Sequence, residues 1–423
     1  MTAEVTEDFP PSPEAINEED DAEPVCAPAD APGPARAEAA AEESTAASRD
    51  LPPVLVGEVA GRARGFLGVD IGSRWLKIVQ AELHGKVLTI WRYATYPVPE
   101  GIVAGGQVQD LHRVASLLRE ATSLFRGRRS VGVVDGQRAI MRQVELPLMG
   151  RRELEAMLRL QGDHYLPLPW ADAEIDFAVL GQSRQQMRVL LVGAHSDTVR
   201  GLARAMEMGG LAPVALETDS VALARALEIV AAVSPDAASG GSSVTGPHNG
   251  AGTEGILTIG VHLGAMGTLV FASQQGTPLL ARTIPLGGDH FTRALARDLG
   301  IDENTAEAYK RARGLEIPEL RPGADRLASE ITKTVEYCLD QSERGLMPRV
   351  HLTGGGARLV GFCEVLTSWL EPTLARWSRL PSGTRWIGVA QLPGENVRWA
   401  VDPHAFGPEH FLALGLSLRG STA

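Results

Sequence analysis

One pattern, a strand, a glycine-bearing turn and a returning strand, occurs twice in this chain, about 190 residues apart. The first copy runs Phe66-Leu67-Gly68-Val69-Asp70-Ile71-Gly72-Ser73 into the apolar run Trp75 to Val79, with Lys77 inside it. The second runs Ile256 to Val261, then His262-Leu263-Gly264-Ala265-Met266-Gly267-Thr268, and returns through Leu269 to Ala272. Short apolar runs bounded by turn residues read as buried strands. Glycine in such a turn lets backbone amides approach an anion and point into a shared concavity. Two such hairpins facing each other would grip a polyphosphate from both sides. The copies differ at one position, where Asp70 is answered by His262.

With 423 residues, 44% of them hydrophobic, the chain can bury a large core in two or more domains. Its net charge of −12 is unevenly placed: residues 1–50 hold 14 Asp or Glu against two Arg, and the rest holds 38 acidic and 38 basic residues. The body therefore offers no overall basic field for nucleic acid. Residues 1–64, rich in Ala, Pro and Glu in their acidic part, predict a disordered tail and lack the basic start and apolar segment of a signal peptide. No apolar stretch approaches the roughly 18–20 residues that span a bilayer. Cys26, Cys338 and Cys363 are too scattered for a disulfide framework, and the ten histidines show no metal-ligand spacing. Reduced thiols and a cytoplasmic location are the expectation.

The order of elements predicts a first α/β domain from 65–138 plus 213–232, interrupted by an inserted α+β subdomain at 139–212. A Gly/Ser/Pro linker at 233–253 leads to a second domain at 254–423, which repeats the hairpin theme. Helices are expected near 111–125, 151–164, 196–209, 218–232, 289–299, 303–313, 324–344 and 359–370.

Several elements fall in an order that suits one nucleotide. Asp70 could hold hydrated Mg²⁺ beside the phosphates, with Gly72, Ser73 and Lys77 around it. The second hairpin offers His262 and the amides of Gly264 to Thr268, including Gly267. Gly287 and Gly288 open a helix whose N-terminus could meet an anion. Glu307 and Lys310, three apart on one helix face, could reach a ribose and a base. Gly354, Gly355 and Gly356 follow a buried strand and would let the backbone lie against a purine or the α-phosphate.

This ensemble resembles the actin-like ATPase fold, and within it the PilM family of type IV pilus assembly. The likeness is carried by LGVDIGSRWLKIV (67–79), RQVELPLMGRRELEAMLRLQGDHYLPLPWADAEIDFAVLG (142–181), RTIPLGGDHFTRALARDLGIDENTAEAYKR (282–311), HLTGGGARLVGF (351–362) and FLALGLSLR (411–419). The resemblance implies ATP held with Mg²⁺ between two actin-like halves. It also implies that the inserted subdomain and the adjoining first domain take the cytoplasmic N-terminal peptide of PilN, an inner-membrane protein. Other pilus-machine components and copies of the chain itself are further implied partners, with no direct membrane span.

The sequence departs from the family at His262, where an acidic residue is expected and Thr268 fixes the register. An imidazole there either faces phosphate or is a satisfied core histidine. It cannot supply the charge that orders hydrated Mg²⁺, so weak or absent hydrolysis is expected. Asp219, at the start of the helix after Glu217-Thr218, is the candidate for positioning water, one carbon shorter than the usual Gln or Glu. A sugar kinase of this fold would need a catalytic Asp that residues 94–138 do not convincingly supply. Secretion proteins of the GspL kind continue into a membrane helix, and division proteins of the FtsA kind end in a basic amphipathic one. The end at Arg419-Gly420-Ser421-Thr422-Ala423 suggests neither.

Overall fold

In the computed structural model the chain is described over residues 65–234, 255–342, 346–378 and 387–421. The acidic tail 1–64 and nearly all of the linker 233–253 lie outside these residues. Strands β1 (Leu67–Ile71), β2 (Trp75–His84) and β3 (Val87–Pro97) form an antiparallel meander. A small ribbon, β4 (Val103–Ala104) and β5 (Gln107–Val108), leads to α1 (Leu111–Ala121). Asp110 caps α1 by accepting the Arg113 N–H at its open first turn. Strand β6 (Arg129–Val134) then lies parallel to β1.

Next come β7 (Ala139–Pro147), α2 (Arg151–Gln161), β8 (Ala173–Gln182) and β9 (Gln186–His195). The three strands make a separate sheet in the order β7-β9-β8, with Leu146, Leu154, Leu158 and Leu191 in its own small core. After α3 (Ser196–Met208), β10 (Ala212–Thr218) returns to the first sheet beside β6, and α4 (Asp219–Val233) follows.

The second half repeats the plan. Strands β11 (Ile256–Leu263), β12 (Thr268–Gln274) and β13 (Thr277–Ile284) form the same meander. Helices α5 (Gly288–Leu299), α6 (Glu303–Arg313) and α7 (Arg321–Asp340) precede β14 (Met347–Thr353), which is parallel to β11. Helix α8 (Phe362–Ser378), β15 (Ile387–Val389), β16 (Val397–Trp399) and α9 (Phe411–Ser417) complete the described chain. The sheets read β16-β3-β2-β1-β6-β10 and β13-β12-β11-β14-β15, so that, the edge strand β16 apart, the repeated hairpin belongs to a repeat of whole sheets. This is the actin-like α/β architecture the sequence implied.

One strand is added and two assignments shift. The added strand is β10, which lies in parallel register with β6 where no element was expected from sequence. Helix α3, grouped by sequence with the insertion, places Leu202, Ala205 and Met206 in one core with Val114 and Leu118 of α1. The C-terminal segment, assigned to the second domain, crosses back to the first sheet: β16 pairs with β3, and α9 packs on α4, β1 and β2. Its approach is close because a Cβ on Gly68 or Gly415 would strike the backbone of Ala413 or Ala222. Buried Glu217 fastens this end by accepting from Arg225 at 2.8 Å and pairing with Arg419. Leu223 and Leu227 of α4, Leu414 of α9 and Phe271 of β12 share one apolar cluster, which joins the two halves.

Candidate functional site

Both hairpin turns line a cavity of about 650 Å³ between the sheets. That lies within the roughly 300–1,000 Å³ of ordinary small-ligand sites. The turns are built alike: Gly72 N–H donates to the Trp75 carbonyl at 3.1 Å, and Gly264 N–H to the Gly267 carbonyl at 2.9 Å. Antiparallel register sets Asp70 opposite Lys77 and His262 opposite Leu269, each one pair back from the strand end. The Lys77 Nζ sits 2.9 Å from Asp70 Oδ2, forming a largely buried ion pair.

His262 lines the cavity, and its Nδ1 lies 3.0 Å from Thr353 Oγ1 on the neighbouring strand β14. The imidazole is therefore both anchored and exposed to the cavity, which joins the two sequence alternatives. Burial pushes its pKa down to about 4; Lys77 acts in the same direction and Asp70 against it. At neutral pH the ring is uncharged.

Gly287 and Gly288, expected to meet an anion, line the cavity at the start of α5, but their amides are engaged within the protein. The Gly288 and Asp289 amides donate to the carbonyls of Gly264 and Ala265, both at 2.9 Å, and Gly287 N–H donates to His290 Nδ1 at 3.1 Å. These bonds hold the second hairpin against the helix. Gly287 permits the fit, since a Cβ there would lie 2.5 Å from the Ala265 carbonyl oxygen. Lys310 has a similar holding role. Its Nζ donates to Gly288 O at 2.9 Å, Thr292 Oγ1 at 2.8 Å and Glu307 Oε2 at 2.6 Å, which uses all three ammonium protons. Burial works against the Glu307 charge, but Lys310 and the Thr292 hydroxyl bond keep its carboxyl below the ordinary value.

Thr268 and Gly354 stand behind the cavity wall. Thr268 is fully buried and donates to the Leu286 carbonyl at 2.7 Å. Gly354, at φ +84°, packs so close to Leu263 that a Cβ would lie 2.5 Å from its carbonyl oxygen. Ser73, Gly355 and Gly356 do reach the cavity, and nothing lies within 4 Å of a Cβ built on Gly355.

Asp219 also lines the cavity, at the start of α4. Its oxygens accept the N–H groups of Gly136 at 2.9 Å and Ser220 at 2.7 Å. Burial, then the neighbouring Asp135 and Asp70 charges, push its pKa up to about 7. Asp135 and Gln137, in the loop after β6, escaped the sequence reading because the DG turn there looks like an ordinary connection. Arg74 was likewise missed: it crosses the cavity from the first turn to Asp289, Nε to Oδ1 at 2.6 Å, with Glu303 at 3.6 Å. Only the α/β layout, not local composition, brings Arg74 to α5.

Mg²⁺ takes about six oxygen ligands and is usually bound through one or two carboxylates plus phosphate. Asp70 is paired with Lys77, His262 adds no charge, and both Asp219 oxygens hold backbone amides. Among the described residues no three His, Cys, Asp or Glu side chains form a metal-holding group. The donor set does not fit the Mg²⁺ expected beside Asp70.

The family model for type IV pilus assembly protein PilM matches residues 68–375. The chain belongs to the PilM family. A solved chain of a PilM-PilN type IV pilus biogenesis complex is similar at 26% identity, with 85% of this chain and 99% of that one covered and a TM-score of 0.68. The ethanolamine utilization protein EutJ from Carboxydothermus hydrogenoformans is 17% identical over 90% of this chain and 99% of its own, with a TM-score of 0.50, a likeness of fold. Among the described residues of this PilM-family chain, no helix is long and apolar enough to cross a membrane.

Proposed function

We propose that this chain is a nucleotide-holding adaptor of type IV pilus assembly, which binds ATP in its cleft and the cytoplasmic N-terminal segment of a PilN-like inner-membrane protein. The observation that carries the nucleotide reading is the pair of like-built hairpin turns lining one 650 Å³ cavity. The partner reading is supported by the similarity to a chain of the PilM-PilN complex. The three-stranded β7-β9-β8 sheet with α2 is the inserted subdomain in this account, and it shares the docking surface with the first domain. The adaptor works in the cytoplasm, reaches the inner membrane through its partners and contacts other pilus-machine components or further copies of itself.

Hydrolysis is weak or absent in this reading. Phosphoryl transfer rests on positioning and on charge stabilisation. Here His262 supplies no charge, and Asp219, the water-positioning candidate, has both oxygens bonded to backbone amides. Calorimetric titration of the full chain with the N-terminal peptide of a co-encoded PilN-like protein tests the adaptor role. Saturable binding of about one peptide per chain is expected, and no binding with or without ATP would defeat it.

A further inference from the structure

The two hairpins present unlike surfaces to the cavity. In the first, the Asp70 charge is matched by Lys77, whose two other ammonium protons meet no acceptor among the described residues. In the second, the corresponding pair is His262 and Leu269, which carries no charge. Lys310 has no proton left to donate to a phosphate, since all three are engaged inside the protein, and its charge is matched by Glu307. Asp219 and Asp135 line the cavity too, Asp219 accepting the Gly136 and Ser220 N–H groups and Asp135 the Gln137 N–H at 2.8 Å. Burial, with repulsion from neighbouring carboxylates, pushes both carboxyls up towards the uncharged form.

A metal is needed between a phosphate chain and a protein where carboxylates on both sides would otherwise repel it and can order its water shell. Here the second hairpin has no carboxylate and the first pairs its own with an internal cation. We propose that this cleft binds a nucleoside polyphosphate without Mg²⁺, with Lys77 and His262 contacting the phosphate chain directly. The proposal rests on the nucleotide reading above and specifies the chemistry of that site.

The test is calorimetric titration of the full chain with ADP and with ATP, each in excess EDTA and in excess Mg²⁺. Dissociation constants within about threefold of each other are expected, well short of the tenfold step that about 1.4 kcal/mol represents. His262→Asp restores the second carboxylate, so its binding should weaken about tenfold or more when Mg²⁺ is withdrawn. Binding by the wild-type chain that is tight in Mg²⁺ and about tenfold weaker in EDTA would overturn the proposal while leaving the nucleotide reading intact. No heat in either buffer would remove both. Should His262→Asp fail to fold, the wild-type comparison still decides.

Discussion

Asp70 and His262 occupy one place in two copies of one hairpin, each a single pair back from the turn. Across the strand Asp70 meets Lys77, and His262 meets Leu269. A symmetric backbone thus carries unlike side chains, and the proposed function rests on that difference.

Lys310 joins α6 to the start of α5 through two hydrogen bonds, to Gly288 O and Thr292 Oγ1, and pairs with Glu307 within α6. Lys310→Met leaves a partly buried Glu307 without its cation. A loss on the order of 2–4 kcal/mol in urea unfolding is expected from breaking such a pair. A change below about 0.5 kcal/mol would show that the lysine is idle in the fold.

Much of the layout was legible in sequence because hairpins, apolar periodicity and the GGG turn are local signals. The α/β class, the repeated meander and the placing of Asp70, Lys77 and His262 on the two hairpins follow from them, whereas Asp219 rests on the family resemblance. What stayed hidden depends on long-range placement. The amides of Gly288 and Asp289 look available in sequence, and only the approach of the second turn shows that Gly264 and Ala265 consume them. The return of α9 to the first sheet is equally silent, since its run of buried apolar residues would suit either core.

Gly354 and Gly355 are neighbours with opposite tolerance. At Gly354 a left-handed φ and the Leu263 carbonyl both exclude a side chain, so Gly354→Ala should cost about 2–4 kcal/mol. At Gly355 the space is open, so Gly355→Ala should stay within about 0.5 kcal/mol in stability while weakening ATP binding. Paired unfolding and titration curves check this. Equal stability losses would contradict it.

The raised Asp219 carboxyl makes stability depend on pH. The folded state holds this proton more tightly than the unfolded chain, so the favourable contribution is complete below about pH 4 and is lost as pH rises towards about 7. Asp219→Asn abolishes the titration. Relative to wild type the variant should gain on the order of 1–3 kcal/mol between about pH 5 and about pH 8, read from urea unfolding at each pH. A pH-independent difference would refute the assignment.

Arg74 spans the cavity to Asp289 and is itself a third exposed, so its ion pair adds little to stability. Its position at the junction of the halves matters more. Arg74→Ala should leave unfolding within about 1 kcal/mol yet speed nucleotide release several-fold in stopped-flow displacement. An unchanged release rate would show that the pair does not restrain the ligand.

In the proposed function the cleft keeps a nucleotide rather than consuming it. Equilibrium dialysis of the purified full chain against ATP, followed by chromatography of the nucleotide pool, measures this directly. An excess of about one nucleotide per chain on the protein side, recovered mainly as ATP, is expected. No excess on the protein side, or sustained conversion of the pool to ADP, would contradict it.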